Sequence, residues 1–224
     1  MNVAVIVPSF NRPKLLRKAL RSIKGASQII IADDGSDFDV RPYATGSIEL
    51  VTNPPIPPGE RLWAVRVGAL LNRALQMVKQ PIVTYLNDDD LFTAEWVPAV
   101  AEFFESHPKA HICRGDWLWL GKKTNAFEPD STWCLTTGNY AYRTECAQVE
   151  DYRWPEGTLS VHDAQMLLAL LEGHGLPNGG YEVPHIGVQA GFRRDHKSNM
   201  VHHTTTAGGY EASAEAMFAL GARE

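Results

Sequence analysis

The sequence predicts an α/β protein built on a mostly parallel central sheet flanked by helices, and three stretches carry that reading. Val3–Val7, Ile29–Ala32 and Ile82–Leu86 are short, nearly continuous apolar runs rich in β-branched residues, the pattern of strands buried on both faces. The second and third run into carboxylates, Asp33-Asp34-Gly35-Ser36 and Asn87-Asp88-Asp89-Asp90. Between the first two runs lies an amphipathic helical pattern, so strand, helix and strand form a βαβ unit with a right-handed crossover. In open α/β sheets ligands bind outside the carboxyl ends of the strands, and both acidic clusters fall there.

Taken in order, the first strand is broken by Pro8-Ser9-Phe10-Asn11-Arg12, and Pro13 suits the first residue of a helix. Leu15, Leu16, Ala19, Leu20 and Ile23 recur on one face of that helix, with Lys14, Arg17, Lys18 and Arg21 as its solvated side. Gly25 closes it. Ile48–Thr52 reads as a third strand, and the prolines of Asn53–Gly59 dictate an extended, stiff loop. A helix follows over roughly Leu62–Val78, its core face Val67, Leu70, Leu71, Ala74, Leu75 and Val78. Pro81–Leu86 is the fourth strand, and Thr93 is placed to cap a helix carrying Trp96, Val100, Phe103 and Phe104 inward.

Beyond Pro108 the elements shorten. His111–Arg114 and Trp117–Leu120 read as short strands around Gly115-Asp116, and Leu135–Arg143 as strand and turn. His162–Glu172 reads as a helix, Tyr181–Val183 and Gly187–Phe192 as the last strands, and Ala212–Leu220 as a C-terminal helix. No repeat or linker divides the 224 residues, so a single domain is expected over residues 1–224.

Composition narrows the class. Hydrophobic residues at 44% and charged residues at 21% are ordinary for a soluble globular protein. A net charge of −5 and a pI near 5.9 argue against a strongly cationic nucleic-acid or lipid binder, while leaving room for a local basic groove. Cys113, Cys134 and Cys146 form no CxxC pair, which disfavours a disulfide framework or structural zinc and fits a reducing cytoplasm. Val3–Val7 is too short for a signal segment, and no apolar stretch reaches membrane-spanning length.

The carboxylates of Asp88, Asp89 and Asp90 repel one another and need a countercharge or full solvation. A hard divalent cation, Mg²⁺ or Mn²⁺, takes oxygen ligands and would supply it; a solvated acidic turn is the plainer alternative. If the chain stays extended, alternation sends Asp88 and Asp90 to one side and Asp89 to the other.

Three segments together resemble the family 2 glycosyltransferases, whose GT-A fold is Rossmann-related. VAVIVPSFNRPKLLRKALRSI is similar to the family's opening strand, Asn-Arg turn and basic helix. IIIADDGS resembles the Asp-Asp-Gly-Ser of the nucleotide pocket, and LNRALQMVKQPIVTYLNDDD the Asn-bearing helix, strand and Asp-x-Asp metal motif. The match runs over roughly Val3–Phe104 and implies a nucleotide-sugar-binding half over 1–108 and an acceptor half over 109–224. It also implies a metal-dependent, inverting transfer from a nucleotide-diphosphate sugar, UDP-sugar favoured, to an acceptor hydroxyl.

Residue by residue, the resemblance implies that Pro8, Phe10, Arg12, Asp33, Asp34, Asn72, Asp88 and Arg193 line the donor site, with Asp33 reading a nucleobase N–H. It implies Asp89, Asp90 and His196 as metal ligands and Asp163 as the general base. Three positions depart from the pattern. Asn87 stands where the family has Asp, which leaves an Asp88-x-Asp90 register open. His162 replaces Glu, and Leu71 replaces an Arg for which Arg66 and Arg73 are the substitutes. Two other readings remain open, a nucleotidyltransferase and a sugar-nucleotide-binding module without turnover. A dehydrogenase is disfavoured because the first strand is followed by no GxGxxG turn.

Overall fold

Apolar residues on alternate sides of β1 (Val3–Ser9) set the layers of the molecule, seen here in a computed structural model that describes residues 1–55, 63–120, 138–147 and 183–194. Val3, Val5 and Val7 face one core, and Ala4 and Ile6 face another, as the two-residue period of a strand requires. The first core lies beneath α1 (Pro13–Ser22) and α3 (Trp96–Ser106), which contribute Leu16, Ala19, Trp96, Val100 and Phe104. The second lies beneath α2 (Trp63–Gln76), which supplies Leu70, Leu71, Ala74 and Leu75. A sheet covered on both faces calls for strands apolar in both directions.

Eight strands are described in one sheet, in the order β3-β2-β1-β4-β7-β6-β8-β5. β2 (Gln28–Asp33), β3 (Ile48–Thr52) and β4 (Ile82–Tyr85) join β1 in a parallel half. The register pairs Ser9 with Asp33, which brings the outlets of β1 and β2 level. The other half holds β7 (Tyr140–Arg143), antiparallel to both β4 and β6 (Ile112–Leu120). β8 (His185–Arg194) lies parallel to β6, and β5 (Asp90–Phe92) pairs antiparallel with β8. This is the expected GT-A-like α/β architecture.

Several sequence expectations are corrected. Asp90, expected only as the end of the acidic outlet, opens a strand, β5, because the backbone of Asp90–Phe92 finds β8 as a partner. Thr93 does not cap α3. Its hydroxyl donates to the Gln189 carbonyl and its N–H to that of Ala190, while Glu95 is the N-cap of a helix starting at Trp96. The two short strands around Gly115-Asp116 are one strand, β6, whose register against β8 shifts there. Gly115 allows the close approach: a Cβ would stand 2.6 Å from the Val188 carbonyl oxygen and 2.7 Å from the Trp96 ring. Val183 precedes β8 rather than forming a strand. The predicted helices over 162–172 and 212–220 lie outside the described residues.

Candidate functional site

The site is assembled from three loops at the carboxyl ends of β1, β2 and β4. After β1 the chain turns through Asn11, which adopts φ +53°, into Arg12 at the N-cap of α1. Asn is among the few side chains that tolerate this left-handed region. Its side chain clasps the neighbouring loop twice: Nδ2 donates to Asp37 Oδ2 at 2.7 Å, and Oδ1 accepts from the Asp37 N–H at 2.7 Å. The Asn11 N–H donates to Ser36 Oγ at 2.9 Å. The first two loops therefore form one rigid wall.

Asp33 and Asp34 are both buried and serve different ends. Asp33 Oδ2 accepts from the N–H groups of Gly35 at 3.2 Å and Ser36 at 3.1 Å, and Oδ1 accepts from the Ser36 hydroxyl. Its carboxylate folds its own loop. Asp34 turns outward toward Asn53 and Arg66: Oδ1 accepts from Asn53 Nδ2 at 2.6 Å and lies 3.2 Å from Arg66 Nε. Asp34 Oδ2 is buried without a hydrogen-bond partner. Burial raises the pKa of Asp34, with the Asn53 amide and Arg66 opposing. Gly35, at φ +78°, lets the Pro54 carbonyl approach where a Cβ would stand 2.4 Å from its oxygen. Beside it an open depression of about 310 Å³ is lined by Asn53, Pro54, Pro55, Arg66 and Ala69.

The third loop brings the acidic turn against Arg12. Arg12 Nη1 donates to Asp88 Oδ1 and to Asp89 Oδ2, each at 3.0 Å. Asp88 Oδ2 accepts from Ser9 Oγ at 3.0 Å and from the Phe10 N–H at 3.3 Å. Burial pushes the Asp88 carboxyl up to about 6 against the pull of Arg12, with the Asp89 charge adding to the rise. The alternation expected for an extended chain does not occur. Residues 88 and 89 lie in a turn, so Asp88 and Asp89 converge on one guanidinium, while Asp90 opens β5 and accepts from Asn87 Nδ2 at 3.1 Å.

Of the expected site residues, Pro8 and Phe10 are half-buried at the β1 outlet, and Asn72 is buried on α2. Arg193 pairs through its backbone with Asp90; its side chain, with Asp163 and His196, lies outside the described residues. Among the described residues no group of three or more His, Cys, Asp or Glu side chains is arranged to hold a metal. Ser9, Asn11, Ser36 and Asn53 were not singled out from sequence. Short polar residues at strand outlets carry only a turn signal, and the contacts that join the loops come from residues distant along the chain. Arg66 and Arg73 were marked only as substitutes; Arg73 Nη2 binds Asn53 Oδ1 at 2.6 Å and so steadies the residue that holds Asp34.

Residues 4–151 match the sequence profile described as Glycosyl transferase family 2. The chain belongs to that family. Among curated proteins it is similar to Protein CgeD of Bacillus subtilis (strain 168), 27% identical over 116 residues, which cover 48% of this chain and 27% of that protein. The fold is similar to S. aureus TarS 1-349 in complex with UDP-GlcNAc, with TM-score 0.68 and 19% identity, over 89% of this chain and 60% of that one. It also resembles glucosyl-3-phosphoglycerate synthase from Mycobacterium tuberculosis in complex with Mn²⁺, UDP and glucosyl-3-phosphoglycerate. That match has TM-score 0.56 and 15% identity, over 89% of this chain and 74% of the synthase. The chain thus spans about a quarter of the curated relative and 60% of the TarS fragment. Among the described residues no helix is long and apolar enough to cross a membrane.

Proposed function

We propose that this member of the family transfers a sugar from a nucleotide-diphosphate donor, UDP-sugar favoured, to an acceptor hydroxyl with inversion. The observation that carries the reading is the convergence of the β2 and β4 acidic outlets on either side of the β1 loop. Family membership makes a donor site the natural occupant of that place, and the UDP complexes of the similar folds favour uridine. Residues 1–108 form the donor half and 109–224 the acceptor half. Buried free thiols at Cys113 and Cys146 suit a reducing cytoplasm.

Within the donor half, Asp34 is the better acceptor for a base N–H than Asp33. Asp33 already accepts three hydrogen bonds within its loop, whereas Asp34 has a buried oxygen without a partner. An unmade bond there is costly, and a ring N–H would supply it. Pro8 and Phe10 wall the same opening.

A divalent cation, Mn²⁺ or Mg²⁺, fits the acidic turn. Asp88 and Asp89 share the one guanidinium of Arg12, so two carboxylates there face a single positive charge. Asp89 is the ligand of choice, because its side chain is 12% exposed against 4% for Asp88; Asp90 and His196 complete the set. Such ions are held by one or two carboxylates plus donor phosphates, and when bound would stabilise charge on the leaving diphosphate. Asp163 is the proposed base for the acceptor's proton and Arg193 the proposed partner of the diphosphate.

The test is thermal shift with UDP, with and without Mn²⁺, followed by product analysis with candidate acceptors. Ligand at about 100 times its Kd should stabilise by about 2.7 kcal/mol. Binding without turnover across many acceptors would establish a silent module, and pyrophosphate release from a nucleoside triphosphate a nucleotidyltransferase.

A further inference from the structure

One guanidinium serves two carboxylates at the point where the metal is proposed to bind. Arg12 Nη1 contacts both Asp88 Oδ1 and Asp89 Oδ2, and Asp88 has its second oxygen committed to Ser9 and Phe10. A divalent cation and a guanidinium cannot share that place, because like charges at contact distance repel strongly. Arg12 is also the N-cap of α1, a ten-residue helix with no acidic residue in its first turn and no side-chain cap. The positive pole of a helix disfavours a cation unless carboxylates or another anion hold it there.

We propose that Arg12 is a resident countercation of the acidic turn. It competes with the divalent metal for Asp88 and Asp89, and once displaced it is passed to the donor's diphosphate. The inference rests on the donor-site reading above and adds a consequence: metal and nucleotide are coupled through Arg12 as well as through direct contact. Either ligand alone meets resistance. Metal alone must displace Arg12 from both carboxylates beside the helix terminus, and nucleotide alone leaves Arg12 drawn to the carboxylates.

The test is Mn²⁺ binding to the full chain, followed by electron paramagnetic resonance of the free ion, with and without UDP. Arg12→Gln should bind Mn²⁺ alone about tenfold more tightly than wild type, and the tightening of Mn²⁺ by UDP should shrink by a similar factor, within the usual span of site-to-site coupling. Arg12→Lys keeps the charge and should stay near wild type in both measures. Arg12→Met, which retains the apolar stem, replaces Gln if that variant does not fold. Unchanged or weaker Mn²⁺ binding by the neutral variant, or unchanged coupling, overturns the proposal while leaving the donor site intact. A wild type that binds neither UDP nor Mn²⁺ overturns both.

Discussion

The Ser9 hydroxyl donates to Asp88 Oδ2 at 3.0 Å, tying the outlet of β1 to that of β4 across 79 positions of sequence. Ser9→Ala leaves a buried carboxylate short of one donor, and hydrogen bonds to charged groups are worth about 1.5–3 kcal/mol. Urea unfolding should show a loss of that order. An unchanged midpoint would mean that Arg12 and Phe10 suffice to hold Asp88.

Asp88 also sets a pH dependence. Its folded pKa is raised from 3.8 to about 6, chiefly by burial, so between those values the folded state holds a proton that the unfolded state has released. Stability from this group is therefore greatest at low pH, falls as pH rises through the window and is level above it. Asp34, also raised by burial, acts in the same direction. Asp88→Asn removes the Asp88 titration. Measured without metal, the unfolding free energy of this variant relative to wild type should grow from about pH 4 to about pH 6 and then hold constant. A constant difference across the range would contradict the raised value.

The two carboxylates of the β2 outlet should separate by experiment. Asp34→Ala should weaken UDP binding by about 1.5–3 kcal/mol in calorimetry. Asp33→Ala should lower the melting temperature first, because the 33–36 loop loses the acceptor of three hydrogen bonds. If Asp33→Ala cost affinity at an unchanged melting temperature and Asp34→Ala did not, the base contact would belong to Asp33.

Asp163→Asn keeps the side chain's shape and removes the proposed base. The kcat should fall about 10²–10⁴-fold while donor affinity holds. Turnover near that of the wild type would reduce Asp163 to a carboxylate complementing a helix terminus.

The parallel half was legible because each of its central strands is an apolar run, with a carboxylate outlet after β2 and after β4; Ile48–Thr52 was recognised residue for residue. β5 was not. Three residues are too few for a period, and what makes Asp90–Phe92 a strand is β8, about a hundred positions away. Thr93 misled for the same reason, since a hydroxyl before a helix looks like a cap until Gln189 is beside it. In the site, Arg12 and the carboxylates were legible as charges that demand partners. The division of labour between Asp33 and Asp34 was not, because identical side chains in sequence differ only in which loop donors reach them.

The remote pairing of β5 bears on how the molecule comes into being. β4 and β5 leave the ribosome almost together, yet the sheet partner of β5 is made only when residues 185–194 appear. At about 5–20 residues per second the interval is on the order of ten seconds. Until then the Phe92 N–H has the Ser22 hydroxyl of α1, at 3.1 Å, as an anchor, and the acidic turn has Ser9, Phe10 and Arg12. A nascent chain can therefore tie Asp88 to Ser9, Phe10 and Arg12 soon after β4 is made, whereas β5 gains its strand partner only with the last described strand.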